Sequence, residues 1–206
     1  GYWRDSVTLF THAVAVNPNN AHAHNYLGRA LYEKGRFDEA EAEFIQAAEL
    51  DETDFRPLFN LAVSARKRGD IQTARRYSQA VVDRFPEHIG SHHLFGLVAL
   101  EQNDLDMARR EFERTLELDP RHVDALVNLA IVSARQNRAT ESLELFDKAL
   151  SISPNDPDAH FNFAMLLMQQ GKVSDAIVHL DATVRLRPEH TEASYQLGRA
   201  RRAVGM

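Results

Sequence analysis

The sequence predicts an all-α fold in which antiparallel helix hairpins stack into one solenoid. Three observations support this fold class: similar residues recur every 34 positions along the 206-residue chain, apolar residues within each repeat lie three and four positions apart, and helix-terminating residues separate the apolar segments. Because one hairpin cannot bury its own apolar face, all the hairpins are expected to stack against their neighbours. No strand pattern, linker or domain boundary interrupts the series.

The first helix of each repeat is recognised by a large residue followed by a small one. Leu27-Gly28 and Leu129-Ala130 illustrate this column. Its other members are Leu61-Ala62, Phe95-Gly96, Phe163-Ala164 and Leu197-Gly198. The small residue allows the second helix to approach closely, while the large residue belongs to the apolar stripe that faces it.

Glycine, asparagine and proline predict where each helix ends. The column between the two helices of a hairpin contains Gly35, Gly69, Asn103, Asn137 and Gly171. A left-handed residue is the expected terminator there, and asparagine is the best substitute for glycine. A second column follows the second helix and contains Pro18, Pro86, Pro120, Pro154 and Pro188, because proline cannot donate the next backbone hydrogen bond. The predicted helices span 3–16, 21–34, 37–50, 55–68, 71–84, 89–102, 105–118, 123–136, 139–152, 157–170, 173–186 and 191–204.

The register predicts a single domain over residues 1–206. It consists of a half repeat over 1–20, full repeats over 21–54, 55–88, 89–122, 123–156 and 157–190, and a capping half repeat over 191–206. Arg201 gives the closing helix the polar outer face that a terminal unit needs. The opening helix presents Trp3 and Phe10 without a preceding partner helix. This end is therefore expected to contact a further domain or to associate with a second copy of the chain.

These columns resemble the tetratricopeptide repeat (TPR) along the whole chain. The family pattern is a large-small pair in the first helix, an alanine-aromatic-alanine set in the second, such as Ala40, Phe44 and Ala47, and a proline after it. The resemblance implies a right-handed superhelical solenoid that acts as a protein-protein interaction scaffold. It also implies that the first helices line a concave groove, which binds an extended or helical polypeptide.

The resemblance assigns the groove residues by their position in the first helix. In this family the second, fifth, ninth, twelfth and thirteenth residues face the groove. The ninth positions include Val63, Leu97, Ile131 and Met165, and the fifth positions include Phe59, His93, Val127 and Phe161. This apolar stripe is typical of a surface that binds a hydrophobic peptide or helix. The alternative is that these side chains pack laterally between neighbouring first helices.

Two polar sets are further candidates for partner binding. The asparagines Asn60, Asn128 and Asn162 share one column and resemble the asparagine ladder of O-GlcNAc transferase repeats, whose amides hold the backbone of an extended substrate. Arg66 and Lys67 form a basic cluster with Arg56 that could contact an acidic segment, or else a solvated face. The fifth positions carry no lysine and the ninth no asparagine, which argues against the terminal-carboxylate receptor of co-chaperone repeats.

Composition and charge exclude several function classes. The net charge of −6 argues against a nucleic-acid partner, and the absence of cysteine excludes a disulfide framework and a thiolate metal site. The longest apolar runs, such as residues 97–100, are much shorter than the roughly 18 residues of a membrane helix, so no membrane insertion of this segment is expected. The compartment is left open, because the absence of cysteine fits the cytoplasm and the periplasm equally.

The ten histidines do not form a pattern typical of a metal site. His24, His92 and His160 lie two repeats apart, too far to bind one ion, and no carboxylate completes the local group at residues 88–93. No Ser-His-Asp set, phosphate loop or paired-carboxylate motif is present. The chain is therefore expected to be noncatalytic and to need no metal and no cofactor.

The first 22 residues suggest an alternative function. Tyr2-Trp3-Arg4-Asp5-Ser6, Leu9-Phe10 and residues 13–18 resemble the segment in which multi-pass bacterial membrane glycosyltransferases pass into their TPR tail. This resemblance implies a bacterial, extracytoplasmic tail that helps to recognise acceptor proteins. Alternatively, Trp3 is a core residue in the column of Phe37.

Overall fold

The computed structural model describes residues 5–205, which form twelve α-helices and, within that range, no β-strand. The helices are α1 (Ser6–Val16), α2 (Ala21–Glu33), α3 (Phe37–Leu50), α4 (Phe55–Lys67), α5 (Ile71–Arg84), α6 (Ile89–Glu101), α7 (Leu105–Leu118), α8 (Val123–Arg135), α9 (Ala139–Ile152), α10 (Pro157–Gln169), α11 (Val173–Leu186) and α12 (Thr191–Ala203). The predicted all-α class is confirmed. The core or partner role predicted for Trp3 lies outside the described residues.

The turn inside each hairpin has the conformation that its residue column predicts. Gly35, Gly69 and Gly171 have φ angles of 74° to 77°, and Asn103 and Asn137 have φ angles of 57° and 61°. The amide two residues beyond each first helix donates back across the turn, as Arg36 does to the carbonyl of Leu31 at 3.0 Å. This bonding pattern closes the helix and leaves the next residue free to start the second helix.

Helix N-termini are capped by the side chain of the residue that precedes each first helix. Asn20 accepts from the amide of Ala23 at 3.0 Å, and Asp54 and Asp156 cap α4 and α10 in the same way. The other caps of this kind are the histidines His88, His122 and His190. Each histidine accepts through Nδ1 from the amide three residues later, at 3.2 Å. These caps fix the start of every first helix from α2 to α12.

Contacts divide the chain into two compact units, Gly1–Asp104 and Leu105–Met206. In the first unit, α2 to α5 bury Leu27, Leu31, Phe44 and Leu61 in one cluster. A Cβ atom added to Gly28 would lie 2.7 Å from the Phe44 ring, which explains the small residue of this pair. The single-domain span predicted from the register stays a prediction.

The opening helix α1 packs against the first unit with one side only. Val7, Phe10 and Val14 contact the cluster around Phe44, and the Phe10 ring stacks on Tyr26 with centroids 5.2 Å apart. No residue of α1 in the described range is fully buried. Its other side exposes apolar side chains, those of Leu9 and Val16 being 37% and 71% exposed.

The second unit is built around aromatic and leucine side chains from α8 to α12. Phe146 and Phe163 stack with centroids 5.2 Å apart and an interplanar angle of 10°. Leu126, Leu167 and Leu180 complete the centre of this cluster. No helix within residues 5–205 has the length and apolarity that a membrane crossing requires.

Candidate binding surface

The predicted apolar stripe is present on the first helices, but its side chains are half-buried. In the first unit, Phe59 and Val63 pack against the buried Ala62 and Leu94. In the second unit, Ile131 and Phe161 pack against the core. Leu97 and Met165 are also half-buried. Lateral packing, the alternative reading of this column, therefore accounts for part of each side chain's surface.

Val127 does not lie on the predicted surface. It is 8% exposed and belongs to the core cluster of the second unit, so its assignment to the groove is wrong. The physical reason is its size, since a short branched side chain at the fifth position fits among core residues such as Leu126 and Ala130.

The aromatic fifth positions support the histidine caps. The Phe161 ring lies 4.6 Å from the ring of His190, the residue that caps α12. Phe59 meets His88, the cap of α6, edge-on at 5.8 Å, and Phe55 covers the same imidazole at 3.8 Å. Burial, and next the charge of His92, lower the pKa of His88 below its ordinary value. These phenylalanines therefore hold consecutive hairpins together, besides offering one edge to solvent.

Two of the three predicted ladder asparagines already use their amides within the chain. Asn60 donates to the side-chain oxygen of Asn25 at 2.9 Å, and Asn162 donates to the carbonyl of Asp158 at 2.9 Å. Asn128 is half-buried. An amide that has its own acceptor must exchange that bond before it can hold a peptide backbone. Backbone recognition by this column stays a prediction.

The predicted basic cluster is neutralised by partners in the chain itself. Arg66 pairs with Glu101 at 2.7 Å, and the ammonium group of Lys67 lies 5.1 Å above the Tyr32 ring. Arg56 pairs with Asp54 at 2.8 Å. Since each cation already has a favourable contact, a free basic patch at this place is not what the structure contains.

Three histidines at the fourth position of the first helix fasten the preceding loop. The Nε2 atoms of His24, His92 and His160 donate to the carbonyls of Pro18, Pro86 and Pro154 at 2.9 to 3.0 Å. His93 is half-buried on α6. No group of three or more metal-ligating side chains exists within residues 5–205.

A pocket of about 620 Å³ opens on the first helices of the second unit. Its lining combines apolar side chains with amides and two arginines: Ile131, Ala134, Arg135, Phe146, Asn162, Met165, Leu166, Met168, Gln169, Gln196 and Arg199. Volumes of about 300 to 1,000 Å³ are typical of ligand pockets. The structure therefore brings the predicted Ile131, Met165 and Asn162 together in one concavity.

Sequence analysis missed several residues of this pocket. Arg135 and Gln169 occupy the thirteenth position of their helices, and Met168 the twelfth, so the family register could have indicated them. Phe146 belongs to a second helix and had been interpreted only as core. Gln196 had no sequence signal, since its exposure to the pocket depends on the arrangement of α10 and α12.

Family models match nearly the whole sequence. One model described as "Tetratricopeptide repeat" matches residues 1–57 and 93–157, and two others with the same description match residues 133–201 and 58–88. Tetratricopeptide repeat protein 8 of Homo sapiens is 33% identical over 85 residues, and its Mus musculus counterpart 35% over 83. These alignments cover 41% and 39% of this chain and 16% of each relative.

Solved structures share the fold at lower identity. The Cut9-Hcn1 hetero-tetramer of the APC/C has a TM-score of 0.78 at 22% identity, covering 94% of this chain and 39% of the other. PilF of Pseudomonas aeruginosa has 0.77 at 18% identity, with 89% and 84% coverage. YrrB, described as a TPR protein with an unusual peptide-binding site, has 0.72 at 19% identity, with 90% and 96% coverage. The fold class, an all-α solenoid of helix hairpins, is confirmed.

The relatives described above include no glycosyltransferase, so the resemblance of the first 22 residues to a glycosyltransferase tail stays a prediction. The hairpin fold, its residue columns and the matches of the family models agree along the chain. The chain belongs to the tetratricopeptide repeat family.

Proposed function

We propose that the chain is a noncatalytic protein-interaction scaffold that binds an extended or helical polypeptide on the first helices of its hairpins. The observation that carries this proposal is the pocket on α8, α10 and α12, which has Ile131, Phe146 and Met165 among its apolar lining. Concave, mostly apolar pockets with a few polar groups are the surfaces that accept ligand side chains.

The amphipathic lining suits a peptide better than a small polar metabolite. Met165 and Met168 are flexible and polarisable, so they adapt to side chains of different shape. The amides of Gln169 and Asn162 stand at the same pocket and offer hydrogen bonds to a main chain. The YrrB structure, described as having a peptide-binding site, is a precedent for peptide binding on this fold.

Charge placed in the pocket tests the proposal. Ile131→Glu combined with Met165→Glu is expected to abolish the capture of partner proteins from a cell lysate, because two buried carboxylates oppose the docking of an apolar side chain. Val178→Glu is the matched control, since Val178 is 67% exposed on α11 and does not contact this pocket. Circular dichroism must show the same helix content in all three proteins. Unchanged capture by the double variant would contradict the proposal.

A second proposal places this surface in the soluble tail of a membrane glycosyltransferase, where it helps to select acceptor proteins. It rests on the resemblance of residues 2–22 alone. The coding sequence upstream of Gly1 tests it directly. Several hydrophobic segments of about 20 residues upstream support it, whereas a start codon directly before Gly1 contradicts it.

Self-association through the opening helix is the third element of the proposal. It is supported by the exposed apolar side of α1, on which Leu9 and Val16 lie. Sedimentation velocity of the wild type and of Leu9→Glu with Val16→Glu tests it. The wild type is expected to sediment faster with rising concentration and the variant to stay monomeric; two monomeric proteins would refute it.

A further inference from the structure

The pocket of the second unit has an equivalent in the first unit. Three 34-residue periods earlier, a pocket of about 200 Å³ is lined by Arg29, Tyr32, Glu33, Phe44, Asn60 and Val63. The corresponding residues of the larger pocket are Ile131, Ala134, Arg135, Phe146, Asn162 and Met165. The repeat thus offers two versions of one site, which differ in a few side chains.

One difference between the two pockets changes their volume. Tyr32 of the first pocket corresponds to Ala134 in the second. The tyrosine ring occupies space that the alanine leaves open, where the larger pocket reaches about 620 Å³ instead of 200 Å³. The larger pocket therefore has room for a sizeable side chain between α8 and α10.

Another difference changes their charge. Glu33 of the first pocket corresponds to Arg135, and no carboxylate is among the described residues that line the second pocket. Arg135 has no ion-pair partner in the part of the chain that the structure describes. By contrast, Arg109 and Arg187 of the same unit are paired with carboxylates at 2.7 to 2.8 Å.

The second arginine of this pocket is held in position by neutral partners. Arg199 donates to the side-chain oxygen of Gln196 at 3.2 Å, and its guanidinium carbon lies 5.9 Å from the Tyr195 ring centroid. Gln196 in turn donates to Glu192 at 2.6 Å, which fixes the amide orientation. Arg199 therefore keeps donors for a ligand while its side chain is already oriented, which lowers the entropy cost of binding.

We infer that the second pocket binds an acidic polypeptide segment, with a large apolar side chain in the pocket and neighbouring Asp or Glu carboxylates at Arg135 and Arg199. This inference rests on the proposed function and names the partner class for it. Guanidinium groups bind carboxylates through paired hydrogen bonds, which are about twice as strong as neutral ones. Because the chain carries a net charge of −6, the attraction must be local to this pocket.

End-blocked, fluorescently labelled nonapeptide libraries test the inference. Each library has Leu, Phe or Met at the centre, and the flanking positions are Glu in one library, Lys in a second and Ser in a third. The wild type is expected to retain the Glu library selectively, with affinity falling as salt rises. Blocked peptide ends exclude recognition of a terminal carboxylate.

Three variants assign that binding to the pocket. Arg135→Glu and Arg199→Glu are each expected to weaken binding of the Glu library about tenfold or more, since each removes a charge-assisted contact. Ala134→Tyr, which introduces the residue of the smaller pocket, is expected to abolish it. Lys148→Glu is the matched control, because it makes the same charge change at an exposed site on α9 and must bind like the wild type. Equal thermal midpoints exclude unfolding as the cause.

Several outcomes overturn the inference. They are equal retention of the three libraries, retention of none, and wild-type binding by Ala134→Tyr. The lysate experiment with Ile131→Glu and Met165→Glu separates this failure from that of the proposed function. If that double variant loses partners while no acidic preference exists, only the partner class is wrong; if it loses nothing, the proposed surface is wrong as well.

Discussion

Three helix caps depend on a histidine nitrogen that accepts a hydrogen bond only when the ring is unprotonated. At His88 the Nδ1 atom faces both the amide and the hydroxyl of Ser91, at 3.2 and 2.6 Å. The pKa of His88 is lowered by burial and by the neighbouring His92, while Phe55 and Phe59 enclose the ring. Protonation would remove the acceptor and bring a positive charge to the positive end of the α6 dipole.

The His88 cap predicts a loss of stability on acidification. Because the folded-state pKa lies below the unfolded value, the unfolded chain binds more protons in that window. The free energy of unfolding therefore falls as the pH drops through about 6.5 and levels off below the folded pKa. His88→Asn keeps a good cap without titrating, so its urea midpoint is expected to fall less between about pH 7 and pH 5.

A matched histidine variant controls this measurement. His12→Asn changes an exposed residue of α1 that caps no helix, and it is expected to retain the wild-type pH dependence. If His88→Asn loses as much stability on acidification as the wild type, the cap does not contribute to the pH dependence.

Arg109 is a buried cation that joins α7 to α8 and α9. Its guanidinium contacts Glu141 at 2.8 Å, Ser133 at 2.9 Å and Gln136 at 2.8 Å. The hydrogen bonds with Glu141 raise the pKa of Arg109, and the same arginine lowers the pKa of the Glu141 carboxyl. Such a multiply bonded charge stabilises the unit as long as all its partners are present.

Removing the Arg109 charge is expected to destabilise the protein. Arg109→Met keeps the volume but leaves the Ser133 and Glu141 acceptors without their donor, at a cost of about 2 kcal/mol in the free energy of unfolding. Arg138→Met, which breaks only an exposed contact to Glu141 at 3.8 Å, is expected to cost less than about 0.5 kcal/mol. Urea denaturation measures both. Equal effects of the two substitutions would contradict the role of Arg109.

At the scale of one element, the hairpin turn is set by a left-handed residue. Gly171 has a φ of +74°, and a Cβ atom added to it would meet nothing within 4 Å. A substitution there therefore acts through the backbone conformation alone. Gly198 differs, because it lies inside α12 with an ordinary helical backbone and its nearest neighbour is 3.7 Å from an added Cβ.

Alanine at these two glycines is expected to have opposite effects. Gly171→Ala should lower the free energy of unfolding by about 1 kcal/mol, since an L-residue is strained in the left-handed region. Gly198→Ala should raise it by about 0.5 to 1 kcal/mol, because alanine reduces the entropy lost on helix formation. Thermal unfolding distinguishes the signs. A stabilising Gly171→Ala would contradict the turn assignment.

Element boundaries could be predicted closely, and the remaining errors have physical causes. The first helices end one residue earlier than predicted, because residues such as Gln136 and Gln170 are C-caps rather than helical positions. The opening helix begins at Ser6, since Asp5 caps it by accepting from the amide of Thr8 at 2.9 Å. The histidine caps were not predicted because asparagine, aspartate, serine and threonine are the usual residues there.

At the scale of the whole molecule, the 34-residue period was sufficient to predict the order of the helices and the family. It predicted which helix positions approach the binding surface, but not how far each side chain is buried. Val127 is buried and Asn60 bonds to Asn25, because burial and hydrogen bonding depend on neighbouring repeats as well as on register. The pocket was missed for the same reason, since its volume depends on Ala134 being smaller than its counterpart Tyr32.

Charge is also distributed in a way that residue counts do not reveal. Arg66, predicted to meet a partner, pairs with Glu101 across neighbouring first helices. Arg135, which sequence analysis did not select, has its charge available at the pocket. A formal net charge of −6 therefore coexists with a locally basic site in the second unit.

The central claim is that a polypeptide binds on the first helices of the second unit, and site-specific photo-crosslinking tests it most directly. A photoreactive benzoylphenylalanine replaces Met165 in one protein and Val178, exposed on α11, in another. Each is irradiated in a cell lysate and with the acidic peptide library. The account predicts cross-linked products from position 165 and none from position 178. Products from position 178 alone, or from neither position, would contradict it.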